Sequence, residues 1–263
     1  MVTIQKYVRA KTLDEAYELN QSKNNRIIGG MLWLKTCKSN ISTAIDLCDL
    51  GLNKIHENNN EFSIGAMVTL RQIEQHEGLN QYTQNAVRDA VKDIVGTQFR
   101  NMATVGGSIY GRFGFSDVLS VFLSMDSYVE LHKGGIIPLE EFSKQKHDSD
   151  ILVRLIVKKK KGSFVYSAMR AQSTDFPILT CAISNVNGKH RVVIGARPSH
   201  AIVIHDDDHI LAAGISDESI EKMASYVAKH TKTGSNLRGS AKYRTHLAKV
   251  LTSRGLHKLG GMS

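Results

Sequence analysis

The chain has 263 residues and a formal charge of +9, with 34 lysines and arginines against 25 acids. That length supports one large domain or two modest ones with real cores, and no stretch approaches the ~20 uninterrupted apolar residues of a membrane span. The start, MVTIQKYVRAKTLDEAYEL, lacks a basic segment followed by an apolar core, so no secretory signal and a cytoplasmic location are expected. Cys37, Cys48 and Cys181 suggest no disulfide framework and lack the spacing of a zinc or iron–sulfur site. The cations are spread along the chain, with a run at Lys158–Lys161 and a loose excess after Lys229, and no aromatic residues interleave them. That pattern speaks against nucleic acid and for an acidic partner or an anionic cofactor.

In chain order, Val2–Ile4 reads as a strand, and Thr12 with Glu15 has the form of a capping box opening a helix with Leu13, Ala16, Tyr17 and Leu19 on its apolar face. Arg26–Ile28 is a second strand running into Gly29, Gly30, Met31, Leu32 and Trp33. Strand, paired glycines and a short turn can set backbone N–H groups around a phosphate, and can equally be a plain tight turn. Ala44–Leu47, Ile55 and Phe62–Gly65 continue the strand pattern, with Gly65–Ala66 either a bulge or part of a ligand site. Asn85–Val95 reads as a helix with Ala86, Val87, Ala90, Val91 and Ile94 on one face.

The segment from Val95 to Leu131 is the densest in glycine: VGTQFRNMATVGGSIYGRFGFSDVLSVFLSMDSYVEL. Ala103, Thr104, Gly106, Gly107 and Ser108 can present N–H groups to an anion, because glycine lets the backbone approach closely. Asp117 can accept hydrogen bonds from sugar or ribityl hydroxyls, or Ser116–Asp117 can simply cap a helix over Val118–Leu123. Composition turns polar near residues 143–150. Beyond it come strands at Ile151–Val157, Phe164–Ala168, Thr180–Ser184 and Arg191–Gly195, then helices over Asp217–Lys229 and Ser240–Leu256, the last with Tyr243, Leu247, Val250 and Leu251 on its apolar face. His205–His209 is read as a solvated turn rather than a metal site. Paired carboxylates or a Ser/His/Asp set placed for hydrolysis are absent from the pattern, so no catalytic acid, base or nucleophile is assigned.

The wording Gln98-Phe99-Arg100-Asn101-x-Ala-Thr-Val-Gly-Gly-Ser-Ile, then Ser116-Asp117, then Leu-x-x-x-Leu-x-Met-Asp-Ser, resembles the flavin-binding subunits of molybdenum hydroxylases, the xanthine dehydrogenase and carbon monoxide dehydrogenase type. The Gly29–Gly30 loop, the Ile-Gly-Ala strand and the Gly239-Ser-Ala-Lys-Tyr243-Arg phrase extend the resemblance over most of the chain, most weakly at Asn185–Ile215.

The resemblance implies an α+β protein: a two-part, non-Rossmann FAD-binding α/β region over residues 1–148, with lobes of about 1–54 and 55–148, then an antiparallel sheet with helices over 149–263. It implies non-covalent FAD held by Ile27, Ile28, Gly29, Gly30, Met31, Leu32, Trp33, Ile94, Ala103, Thr104, Gly106, Gly107, Ser108, Asp117 and Leu152. Met31–Leu32, Ile94 and Ala168 depart from the family's usual residues. The implied partners are an iron–sulfur subunit with [2Fe–2S] clusters, a subunit holding the molybdenum cofactor, and NAD or another electron acceptor. The phrase from Asp46 to Ile55 is closest to bacterial purine-type members. A stand-alone flavin oxidoreductase and a FAD-lacking subunit of the same fold are the alternatives.

Overall fold

The computed structural model describes residues 1–261. The first part of the chain forms β1 (Thr3–Arg9), α1 (Leu13–Asn20), β2 (Arg26–Ile28), β3 (Asn40–Asp46), β4 (Ile55–Glu57), β5 (Glu61–Gly65) and α2 (Leu70–Gln75). Five short helices follow: α3 (Glu77–Tyr82), α4 (Ala86–Val91), α5 (Thr97–Arg100), α6 (Val105–Tyr110) and α7 (Asp117–Leu123). Then come β6 (Ser127–Leu131), β7 (Gly135–Pro138), α8 (Leu139–Lys144) and β8 (Leu152–Lys158). The rest is β9 (Gly162–Met169), β10 (Leu179–Val186), β11 (Lys189–Gly195), β12 (Ile202–His205), α9 (Asp217–His230) and α10 (Ala241–Gly260). The chain divides into two compact units, neither contiguous in sequence. Residues 1–72, 97–111 and 127–157 form the first, and 73–96, 112–126 and 158–261 form the second.

The first unit holds a parallel sheet of order β1-β3-β2 and a five-stranded sheet of order β4-β5-β8-β6-β7. Thr12 caps α1 as its sequence suggests, its hydroxyl accepting the Glu15 N–H at 3.1 Å. The Glu15 carboxylate reaches one residue further back than a capping box requires, to the Lys11 N–H at 2.7 Å. That start sets Ala16 into a core with Ala10, Ile45, Leu47 and Ile151. β8 is antiparallel to β6, so this strand, expected just after residue 148, lies in the sheet of the first unit. It is also more buried than an alternating strand: of Leu152–Val157 only Arg154 escapes full burial, and it pairs with Glu130 at 2.7 Å. A strand covered on both faces reads as a continuous apolar run.

The second unit is built on the antiparallel sheet β12-β11-β10-β9. The period of two in β10 separates its faces. Thr180 and Ser184 turn to α7, where Thr180 meets the Ser120 hydroxyl at 3.0 Å and Ser184 donates to the Ser124 carbonyl at 2.5 Å. Cys181 and Ile183 turn to α10, where a Cβ on Gly255 would stand 2.6 Å from Ile183 Cδ1. The buried side of α10 is Arg244, Leu247, Ala248, Leu251, Thr252, Gly255, Leu256 and Leu259. Tyr243, expected inside, is 40% exposed, and Val250 is half-buried. The helical face is rotated because an arginine, counted as polar in a periodicity reading, occupies an inward position. α4 is shorter than expected: the chain leaves it through an i→i−3 bond from Ile94 to Val91, and Val95 is left-handed at φ 52°. In the His205–His209 turn, the Asp206 carboxylate accepts the N–H groups of Ile210 and Leu211 at 2.7 and 2.8 Å.

Candidate functional site

Two loops of the first unit meet closely. β2 ends at Ile28, which is buried with Ile41 and Ala44, and Ile27 packs beside the α1 core. The chain then passes through Gly29 and Gly30 against Met102–Thr104. A Cβ on Gly29 would lie 2.7 Å from Thr104 Oγ1, and one on Gly30 would lie 1.9 Å from the Met102 carbonyl oxygen. Only glycine fits at residue 30, because its neighbour there is backbone and cannot rotate away. Met31 takes a left-handed φ of 57°, Trp33 leans on Phe99 with ring centroids 5.3 Å apart, and Leu32 is half-buried between them in sequence. The N–H groups of Gly30, Met31 and Leu32 donate to no acceptor among the described residues. Successive N–H groups around a left-handed residue can form a concave anion nest, and these three amides are half-exposed, open to water or to a ligand.

The second loop treats its amides differently. Val105 N–H donates to Val68 O and Gly106 N–H to Ala66 O, both at 2.8 Å, while Ala103 O accepts from Leu70. Gly107 N–H donates to Thr104 Oγ1 at 3.2 Å, and Ser108 N–H to Thr104 O at 3.1 Å. A Cβ on Gly106 would lie 2.6 Å from Ala66 O, so this glycine serves close packing of α6 on the end of β5. Thr104 is therefore at once the N-cap of α6 and the wall behind Gly29. Leu152 is buried in β8, next to Val153, whose carbonyl accepts the Ala66 N–H at 2.9 Å. The first unit thus brings Ile27–Trp33 against Ala103–Thr104, and Ala66 links Gly106 to the strand carrying Leu152.

Ile94 and Asp117 belong to the second unit. Ile94 is half-buried beyond the end of α4. At α7 the cap is Ser116, whose hydroxyl accepts the Leu119 N–H at 3.1 Å, which frees the Asp117 carboxylate for other work. That carboxylate is 5% exposed and accepts from the Tyr166 hydroxyl and an Arg170 Nη2, each at 2.5 Å. Arg170 also donates to the Asp175 carbonyl at 2.7 Å. Burial pushes Asp117 up to about 6 although Arg170 and Tyr166 pull it down, and burial with the Asp117 charge raises Tyr166 well above the usual phenol. No motif in the sequence marks Tyr166. The available signal is the period of two in β9, where Tyr166 and Ala168 share a face and Arg170 follows one residue past the strand's end. Ala168 is paired with Thr180 in β10.

The paired glycines stand on separate segments, after β2 and at the start of α6, rather than on one strand-to-helix turn. Residues 2–159 match the family described as the FAD binding domain in molybdopterin dehydrogenase, and residues 164–259 match the CO dehydrogenase flavoprotein C-terminal domain. The chain belongs to this family, and its cofactor is FAD. Among curated relatives, the glyceraldehyde dehydrogenase medium chain of Sulfolobus acidocaldarius is 22% identical over 96% of this chain and 97% of its own. Reconstituted CO dehydrogenase from Oligotropha carboxidovorans shares the fold with a TM-score of 0.88 at 18% identity, covering 99% of both chains. Quinoline 2-oxidoreductase from Pseudomonas putida 86 shares it with a TM-score of 0.84 at 17% identity, covering 98% of this chain and 97% of the other. No helix among the described residues is long and apolar enough to cross a membrane.

Proposed function

We propose that this chain is the FAD-carrying medium subunit of a cytoplasmic molybdenum hydroxylase complex. In this reading electrons leave a molybdenum-cofactor subunit, pass through the [2Fe–2S] clusters of an iron–sulfur subunit, and reach NAD or another acceptor through FAD. The observation that carries it is the loop at Gly30–Leu32, where three adjacent amides lack acceptors beside a glycine that admits no side chain. We assign the pyrophosphate to those amides, with Gly29, Ala103, Thr104, Gly107 and Ser108 forming the opposite wall and Trp33 closing one end. Ile27, Ile28, Gly106 and Leu152 support the loops from beneath. The resemblance also implies FAD contacts at Ile94 and Asp117, and Tyr166 and Arg170 hold the Asp117 carboxylate.

FAD, when bound, supplies the redox chemistry, and the protein supplies position and electrostatics. Neither glycine loop contains histidine or cysteine, which fits a non-covalent cofactor. The relatives are a glyceraldehyde dehydrogenase medium chain, a CO dehydrogenase and a quinoline 2-oxidoreductase. The Asp46–Ile55 phrase instead favours a purine-type substrate, chosen by the molybdenum subunit. The test is purification of the chain with its iron–sulfur and molybdenum subunits, followed by acid precipitation and addition of NADH to the native complex. FAD should stay in the acid supernatant, and NADH should bleach the flavin absorbance. A colourless preparation, or flavin in the acid pellet, would refute the cofactor assignment; flavin that NADH leaves oxidised would refute NAD as acceptor.

A further inference from the structure

At one end of the second unit's sheet, β9 finishes at Met169 and β11 at Gly195, while β10 starts from Leu179 and β12 from Ile202. Four segments gather there, residues 112–116, 170–178, 196–201 and 231–240, with five lysines and arginines against one acid, Asp175. They are tied to one another. Ala196 N–H donates to Gly114 O at 2.7 Å, Gly234 N–H to Arg197 O at 2.6 Å, and His200 Nδ1 lies 2.6 Å from Arg112 O. A Cβ on Gly114 would stand 2.8 Å from Ser199 O. Arg112 and Ala196 are both left-handed, at φ 44° and 56°. Residues other than glycine hold that conformation where their surroundings impose it, and such positions cluster at functional sites. Each of the two stands immediately before a residue that this end presents, Phe113 and Arg197.

Phe113 lies parallel to Phe115, with centroids 5.2 Å and planes 7° apart, and Phe115 meets Phe176 edge-on at 4.6 Å. Phe113 ends this stack with 41% of its surface in water and no further ring against it among the described residues. Of the cations, Arg170 is held by Asp117, and Arg238 by Asp175 and the Phe176 ring. Arg197 is different. Its Nε and Nη1 donate only to carbonyls, those of His200 and Lys232, both at 2.7 Å, and its Nη2 meets no acceptor among the described residues. It is half-buried, burial pushes its guanidinium down from the usual range, and no carboxylate acts against that. Lys232 is exposed, and its ammonium forms no ion pair among the described residues. A partly desolvated cation without a carboxylate calls for an anion, and a guanidinium fork suits a phosphate. A parallel ring pair that ends in water suits a third flat ring. Held by its neighbours, Phe113 loses little further freedom when that ring arrives.

We propose that this end of the second unit binds a nucleotide, with its base stacked on Phe113 and its phosphates between Arg197 and Lys232. The role given to it rests on the function proposed above, where the nucleotide is that of the dinucleotide electron acceptor. The test uses the co-purified, FAD-loaded complex carrying wild-type chain, Phe113→Ala or Lys232→Glu. Calorimetry with ADP reports binding and NADH bleaching of the flavin reports the acceptor, with FAD content and melting temperature measured on the same samples. Phe113→Ala should weaken ADP binding by about tenfold or more, as loss of an aromatic ring under a base does. Lys232→Glu should weaken it and flatten its salt dependence. The NADH concentration needed for half-bleaching should rise in parallel, with normal FAD and melting. ADP that binds both variants as tightly as wild type, that inorganic pyrophosphate matches in affinity, or that binds only by expelling flavin overturns the inference. So does a yellow wild-type complex that binds no ADP. If ADP binding follows the variants while NADH leaves the flavin oxidised, the site stands and NAD as acceptor falls. A colourless complex refutes the FAD reading itself, a separate result.

Discussion

The two glycine loops of the first unit look alike in sequence and differ in where their amides go. At Val105–Ser108 the N–H groups are consumed by Val68, Ala66 and Thr104, so the glycines there let a helix pack tightly. At Gly30–Leu32 they are left without acceptors, and the glycine there lets two backbones cross. Glycine density alone therefore does not mark a phosphate site. The accounting of donors is what separates the two loops, since the amides at Gly30–Leu32 stay open to water or to a ligand.

The largest effect expected from this contrast is at Gly30. A Cβ there would stand 1.9 Å from the Met102 carbonyl oxygen. Gly30→Ala should lower stability by about 1–3 kcal/mol, as overpacking does, and leave the purified protein nearly free of FAD. Full flavin absorbance in that variant would show that the pyrophosphate lies elsewhere.

The same question, internal partner or ligand, applies to Asp117, and pH answers it. Its folded-state pKa of about 6 lies above the ordinary 3.8, so the folded protein holds this proton more tightly than the unfolded chain. The stability it contributes is complete below about pH 4 and is lost as pH rises through 6. The melting temperature of wild type should therefore fall relative to Asp117→Asn between pH 4 and 7, by an amount equivalent to on the order of 2–3 kcal/mol. A difference that instead grows in favour of wild type would mean that Arg170 outweighs burial.

A smaller effect is expected at Thr104, whose hydroxyl caps Gly107. Thr104→Val keeps the shape beside Gly29 and removes the cap, at about 0.5–2 kcal/mol, with a modest loss of FAD affinity measurable by titration of the apo form. The smallest effect belongs to Gly107→Ala, whose Cβ meets only Thr104 Oγ1 at 3.1 Å. FAD affinity should stay within about threefold, less than 1 kcal/mol. A tenfold loss there would erase the distinction between the two loops.

Much of this was legible beforehand, where local chemistry decides. The Thr12 cap, the short Arg26–Ile28 strand and the glycines at both loops follow from side chains that act on their own backbone. The Gly30 constraint was not legible, because it comes from Met102, 72 positions away in the chain. Asp117 looked equally like a cap and a ligand contact. The structure gives the capping to Ser116 and shows Tyr166 and Arg170, which no local pattern pairs with it, on the carboxylate. The buried face of α10 lies one position from the apolar period because Arg244 satisfies its donors on carbonyls and so can lie inside.

The interleaving of the two units has a consequence for the order in which the protein is made. α4 and α7 emerge from the ribosome with Val87, Ala90, Val91, Val118, Leu119, Val121 and Phe122 ready for burial. Their packing partners, β9 to β11, end only at Gly195. At the usual rate of synthesis that wait is on the order of ten seconds. Through that interval two apolar helices must be shielded by something other than their eventual sheet, and a nascent chain stalled before residue 162 should recruit chaperones where one stalled well beyond the end of α10 should not.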